Sequence, residues 1–163
     1  MRNAIITGSF DPITSGHADL IKRSSRIFDH VTVVVVGNTE KSSGLFTPAE
    51  RLELIDLAIS EMDLSNADSL LFDGLTSDAA HKLGAKFIVR GARCASDFDY
   101  EYSLSLIMKR FDKEFETVIL PTDPALMEIS STYVRDLLKY GCDLGNAVPA
   151  ACRDRMIEIF KNK

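Results

Sequence analysis

The sequence predicts an α/β fold, a single-domain, doubly wound and mostly parallel sheet built from residues 1–163. Three observations predict it. Short apolar runs alternate with amphipathic stretches of helical length along the whole chain. The run Val31-Thr32-Val33-Val34-Val35-Val36 is β-branched throughout and lacks polar alternation, which is what a strand covered on both faces requires. Near the start, an apolar run leads into a loop carrying Gly and Pro and then into an amphipathic segment, the strand-loop-helix order of such sheets.

Asn3-Ala4-Ile5-Ile6 is the first predicted strand. The loop after it, Thr7-Gly8-Ser9-Phe10-Asp11-Pro12-Ile13-Thr14-Ser15-Gly16-His17, has a specified shape. Gly8 lets backbone come close to a ligand, Pro12 fixes one torsion, and Asp11 before it is biased away from helix. Residues 17–28 set Ala18, Leu20, Ile21, Ile27 and Phe28 against Lys22, Arg23 and Arg26, a helical pattern with Asp19 in its first turn. After the Val-rich strand and a polar stretch, Thr47-Pro48-Ala49-Glu50 is a capping box with proline at the first helical position, opening a helix over 48–62. Strands over 69–72, 86–89 and 117–120 then alternate with helices over 76–83, 97–112, 131–139 and 149–161, with Gly84 and Gly141 as stops. The helix over 97–112 is apolar around much of its circumference, so it should be buried on more than one side, by the core or by another subunit.

A chain of 163 residues suits one core and one active site. The formal charge of −5 repels polyanions and no basic run interrupts it, which argues against a nucleic-acid partner. A phosphate-bearing ligand must therefore be held by local groups. Cys94, Cys142 and Cys152 form neither an even framework nor a C-x-x-C pair, which argues against a disulfide scaffold and a zinc site. The opening apolar run is too brief for a signal peptide and no stretch reaches membrane-spanning length, so a cytoplasmic protein without a membrane partner is expected.

Ligands of doubly wound sheets bind outside the carboxyl ends of the strands, and the chemically interesting residues fall in loops at those positions. Gly16-His17 stands at a helix start, where unpaired N–H groups hold phosphate, so an imidazole is delivered to an anion site. No P-loop pattern occurs, and no G-x-G-x-x-G follows a strand. Lys41 lies in the polar stretch after the second strand. Arg90 and Arg93 flank Gly91-Ala92 after the fourth, where guanidinium forks suit phosphate; paired with Asp97 and Asp99 they would instead be ordinary surface charges. Ser130, Ser131 and Thr132 open the helix over 131–139, and three hydroxyls exceed what a cap needs. With free N–H groups and Arg135 they suit a polyphosphate. Thr76 follows the third strand and suits a helix cap. Asp97 and Glu101 share a helix face, but no cluster of hard-cation ligands accompanies them. His30 and His81 lack partners at metal or triad spacing and are read as structural or surface residues.

The segment G-S-F-D-P-x-T-x-G-H, here Gly8 to His17, resembles the T/HxGH signature of the nucleotidyltransferase superfamily, and its Thr14 form is similar to the phosphopantetheine adenylyltransferases. R-G-x-R-x-x-x-D-F-x-Y-E from Arg90 to Glu101 and I-S-S-T-x-V-R from Ile129 to Arg135 resemble further motifs of that family. The resemblance implies a Rossmann-like nucleotidyltransferase fold and transfer of AMP from ATP to 4′-phosphopantetheine, giving dephospho-coenzyme A and pyrophosphate. It implies that His17, Lys41 and Arg90 act on the transferring phosphoryl group and the acceptor. Ser9, Phe10, His17, the turn Gly91-Ala92-Arg93, Glu101, Leu126, Met127, Glu128, Ile129, Ser130, Ser131 and Thr132 are implied to hold ATP. Ser9, Lys41, Thr76 and Arg90 are implied to hold the acceptor. Mg²⁺ carried with ATP, a homohexamer, and feedback binding of coenzyme A at the active site are implied by the family alone.

A phosphate monoester acceptor has a second pKa of about 6, so it is already nucleophilic near neutral pH and needs no general base. Catalysis then consists of positioning two anions in line and stabilising charge on the departing pyrophosphate, without a covalent enzyme intermediate. Two alternatives remain at this point. A nicotinate or nicotinamide mononucleotide adenylyltransferase shares the G-S-F-D-P start, but it usually has histidine where Thr14 stands and lacks the Arg90 to Glu101 pattern. A catalytically silent nucleotide-binding protein on the same fold would be expected to lose His17, Lys41, Arg90 or the hydroxyl run.

Overall fold

Five strands form one sheet in the computed structural model, which describes residues 1–36 and 44–163 apart from the side chain of Phe111. They are β1 (Asn3–Gly8), β2 (His30–Val36), β3 (Ala67–Phe72), β4 (Phe87–Ala92) and β5 (Glu116–Pro121). The order is β3-β2-β1-β4-β5 and every neighbouring pair is parallel. The chain builds outward from β1 to β3, then returns across β1 to lay down β4 and β5 on its other side. A crevice therefore opens between the carboxyl ends of β1 and β4, where such sheets bind ligands.

Successive residues of a strand face opposite ways, and the packing follows that period. Ala4, Ile6, Val31, Val33, Val35 and Val89 face the larger core, built with α1 (Ser15–Ser25), α2 (Pro48–Glu61), α5 (Ser131–Lys139) and α6 (Arg153–Lys161). Ile5, Val34 and Ile88 face a thinner core against α3 (Thr76–Lys82) and α4 (Ala95–Phe111). All of these strand residues are at most 2% exposed, as the unbroken β-branched run requires.

Several bounds differ from the sequence reading, some through local caps and one through a distant strand. Thr14 caps α1 with its hydroxyl, so the helix begins at Ser15 rather than His17 and ends at Ser25, with Arg26 as its cap. Asp19 consequently lies outside the first turn, and it pairs with Arg23 at 3.2 Å. β4 runs on through Arg90, Gly91 and Ala92, paired with Ile119, Leu120 and Pro121 of β5, so these residues end a strand rather than follow one. The last helix is split: a 3₁₀ turn at Ala150–Cys152 precedes α6. By contrast α5 keeps its predicted bounds, closed by Gly141 at φ +66°.

α4 rests on β4 and β5, and its half-buried positions, Asp97, Glu101, Leu104, Ser105 and Met108, recur at helical spacing. Phe98, Tyr100, Tyr102, Leu106 and Ile107 are about half exposed or more, with Phe98 and Tyr102 stacked at 6.5 Å. Among the described residues, the core therefore does not supply the second covering that the helix's apolar circumference called for.

Candidate active site

A cavity of about 400 Å³ occupies the crevice between β1 and β4. Thr7 and Gly8 end one wall, Arg90 and Gly91 the other, and His17, Arg93, Asp97, Glu101, Ser130 and Ser131 complete the polar lining. Leu126 and Ile129 line it as well, while Met127 and Glu128 face an adjoining depression that Ile129 shares. The three separate motifs read from the sequence thus meet in one place, with the N-terminal ends of α1 and α5 directed at it.

His17 is the third residue of α1 and takes the place of the acidic residue of a capping box. The Thr14 backbone N–H donates to its Nδ1 at 3.0 Å, and the His17 N–H donates to the Thr14 hydroxyl at 3.3 Å. Because a backbone N–H can only donate, Nδ1 is an acceptor and the neutral ring carries its proton on Nε2. Burial, then the nearby charge of Arg93, lowers the His17 pKa to about 4. Near neutral pH the ring is therefore a neutral, pre-aimed N–H donor. Phe10 packs edge-on against it at 5.0 Å and is 2% exposed. Phe10 sits at φ +45°, a strained backbone for a bulky residue, which the loop must enforce. A Cβ on Gly8 would lie 3.2 Å from the Phe10 ring, so this glycine makes room for that side chain.

The two arginines are held differently. Arg90 donates to the Thr7 carbonyl at 2.9 Å and approaches Glu101 at 3.4 Å, bracing the last turn of β4 against the end of β1. Burial raises the Glu101 pKa and the Arg90 charge opposes that rise; Glu101 Oε2 receives no hydrogen bond among the described residues. Arg93 donates its Nε to Asp97 at 2.9 Å, which holds the Asp97 carboxyl below its ordinary pKa. Of the two pairings considered for a surface loop, Arg93 with Asp97 is present, whereas Arg90 takes Glu101 instead of Asp99.

The hydroxyl run has duties within the fold. Ser130 caps α5 by accepting from the Tyr133 N–H at 3.1 Å, Ser131 donates to the Pro12 carbonyl at 2.8 Å, and Arg135 donates to the Asp11 carbonyl at 2.6 Å and to Thr132 at 2.9 Å. Arg135 thus braces the first loop rather than reaching free into the cavity. Ser9, Ala92, Thr132 and Thr76 do not line the cavity. Thr76 does not cap α3 either, since the cap residue is Leu75 and no side chain bonds there. Lys41 lies outside the described residues. His30 and His81 each approach one carboxylate, Asp68 at 3.2 Å and Asp112 at 3.0 Å, away from the cavity. Tyr100, Leu20 and Thr122 also line the site without having been given a role there: Tyr100 is a fixed position of the Arg90 to Glu101 motif, Leu20 reads as a core position of the first helix, and no motif or charge marks Thr122.

The ring chemistry yields a test. In the ligand-free protein, ¹⁵N NMR of His17 is expected to show the Nε2–H neutral form from pH 8 down to about pH 5. Between about 6.5 and about 4 the unfolded chain binds a proton at this ring that the folded chain does not, so stability falls as pH falls through that window. Titration with an ordinary midpoint near 6.5 would contradict both statements.

Comparisons with known proteins follow the same lines. A family model described as cytidylyltransferase-like matches residues 5–137. A phosphopantetheine adenylyltransferase of Lachnoclostridium phytofermentans is 40% identical over 163 residues, covering 100% of this chain and 96% of that protein. One from Finegoldia magna is 42% identical over 156 residues, covering 96% of this chain and 94% of the other. A crystal structure from Vibrio parahaemolyticus, provisionally named a nicotinate-nucleotide adenylyltransferase, superposes with a TM-score of 0.73 at 20% identity over 96% of this chain and 99% of that one. At that identity the likeness is one of fold.

Proposed function

The chain belongs to the phosphopantetheine adenylyltransferases, within the cytidylyltransferase-like family, and from that premise we infer that it moves AMP from ATP to 4′-phosphopantetheine, releasing pyrophosphate and forming dephospho-coenzyme A. The observation that carries the reading is the meeting of His17, Arg90, Arg93 and Ser130 around one cavity at the carboxyl ends of β1 and β4. In this reading the acceptor phosphate, a dianion near neutral pH, attacks the α-phosphorus in line. The new bond is from the acceptor oxygen to the α-phosphorus, and the bond to the β-phosphate bridging oxygen breaks, its electrons leaving on pyrophosphate. His17 Nε2–H donates to an α-phosphoryl oxygen as charge grows there, without itself changing protonation. Arg90, already braced by Thr7 and Glu101, draws in the acceptor phosphate, and Lys41 assists it. Arg93 and the N-terminal end of α5 hold the remaining phosphates of ATP.

Mg²⁺ travels with the triphosphate and supplies neutralisation of its charge; among the described residues no three His, Cys, Asp or Glu side chains gather as a ligand set. The half-exposed apolar side of α4 faces other subunits in a homohexamer. Sedimentation equilibrium should then return six times the 18.0 kDa chain mass, and a single-chain mass would refute the assembly. No helix among the described residues is long and apolar enough to cross a membrane. A cytoplasmic site of action is part of the same proposal.

The deciding experiment measures pyrophosphate release from ATP and Mg²⁺ with 4′-phosphopantetheine and, separately, with nicotinate and nicotinamide mononucleotides. Release with phosphopantetheine alone is expected. Release with a mononucleotide would shift the acceptor assignment, and no release with any would leave a nucleotide-binding protein.

A further inference from the structure

The first loop carries one acidic side chain that the cavity does not use. Asp11 is 8% exposed and turned toward the start of α2, where it accepts the N–H groups of Leu45 at 2.9 Å and Phe46 at 2.8 Å. Arg51, 6% exposed on α2, lies 3.4 Å from the same carboxylate and donates to the Phe46 carbonyl at 2.7 Å and the Ser9 carbonyl at 3.2 Å. A Cβ on Gly44 would fall 2.0 Å from Arg51 Nη2 and 2.7 Å from Asp11 Oδ2, so the pair fills the space that only glycine leaves open.

We propose that Asp11 and Arg51, seated over Gly44, are positioning residues for adenylyl transfer: they clamp the backbone of Ser9 and Asp11 to the segment entering α2 and so fix the loop that sets Phe10 and His17. The inference rests on the adenylyl-transfer reading above. Two arguments support a positioning role. A buried ion pair adds little net stability over an apolar packing of the same volume, but it fixes geometry, and here what it grips is loop backbone on both sides. The gripped loop also holds Phe10 in a strained conformation against His17, which an unanchored loop would relax. The clamp has a second electrostatic consequence. Arg51 and two N–H groups neutralise a carboxylate that would otherwise stand, uncompensated, in the loop that receives a polyanion.

Two variants test it by different routes. Asp11→Asn keeps the size of the side chain but cannot accept both N–H groups as a carboxylate does. Gly44→Ala leaves both charges in place and puts a methyl group against the Arg51 guanidinium and the Asp11 carboxylate, at φ +156° where a side chain is itself strained, so the guanidinium moves off Ser9 to relieve the clash. For folded protein, assayed well below the unfolding midpoint, kcat for dephospho-coenzyme A formation should fall by about tenfold or more in each, since small misplacements near reacting groups have effects of that size. Calorimetry should show ATP binding weakened in parallel. A purely structural role would lower the unfolding midpoint and leave kcat and ATP affinity unchanged, and that result overturns the proposal. If Asp11→Asn does not fold, Gly44→Ala decides alone. If the wild-type chain fails to transfer AMP to 4′-phosphopantetheine, the functional reading fails instead, and the clamp then stands or falls on whether Gly44→Ala weakens ATP binding.

Discussion

Replacing His17 with Ala is expected to lower kcat for dephospho-coenzyme A formation by about 10²–10³-fold with little change in the KM for ATP, the size of effect seen when one pre-aimed donor to a developing charge is removed. The structure separates this from a folding effect. The ring also serves as a helix cap through Nδ1, so Ala should cost about 1 kcal/mol of stability, too little to unfold a chain of this size. Steady-state kinetics with a parallel urea titration checks both numbers. A loss of activity matched by loss of folded protein would remove His17 from the mechanism.

Arg90→Met is the second large effect. A charge-assisted contact to phosphate is worth about 1.5–3 kcal/mol, so kcat/KM for the acceptor should fall by about 10- to 100-fold, with ATP binding affected less. The substitution also leaves Glu101 half-enclosed without the cation beside it, which raises its pKa further. Adding Glu101→Gln should therefore recover stability lost in Arg90→Met while recovering no acceptor affinity. Initial-rate kinetics varying the acceptor, with thermal unfolding of the single and double variants, reads out both halves. Equal acceptor kinetics in Arg90→Met and the unmodified chain would exclude Arg90 from acceptor binding.

Local signals carried much of the fold. The run 31–36 marked an internal strand because burial on both faces leaves no polar alternation, and Thr47 to Glu50 marked a helix start because its two reciprocal hydrogen bonds are encoded within four residues. What escaped was set by distance. β4 extends through Arg90 to Ala92 because β5 offers it partners, and nothing in the residues themselves distinguishes strand end from loop. Arg51 and Ser9 are 42 positions apart, so an arginine on a helix gave no sign that it holds the first loop. Thr14 was legible as a family motif, yet its role as the cap that recruits the His17 ring emerged only from geometry. The cavity was legible for the opposite reason: the topology of parallel sheets gathers strand ends, so motifs far apart in sequence meet there without any local cue.

The capping box of α1 also sets a conflict between durability and chemistry. At the third position of a helix the residue best suited to that box is glutamate, which bonds the cap N–H as His17 does and adds a negative charge favoured by the helix dipole. The same charge would stand in the mouth of a site for polyanions and would lack the Nε2–H. Selection for stability alone would thus favour a change at residue 17 that abolishes the activity, so any thermostable library of this chain needs a catalytic screen beside the thermal one.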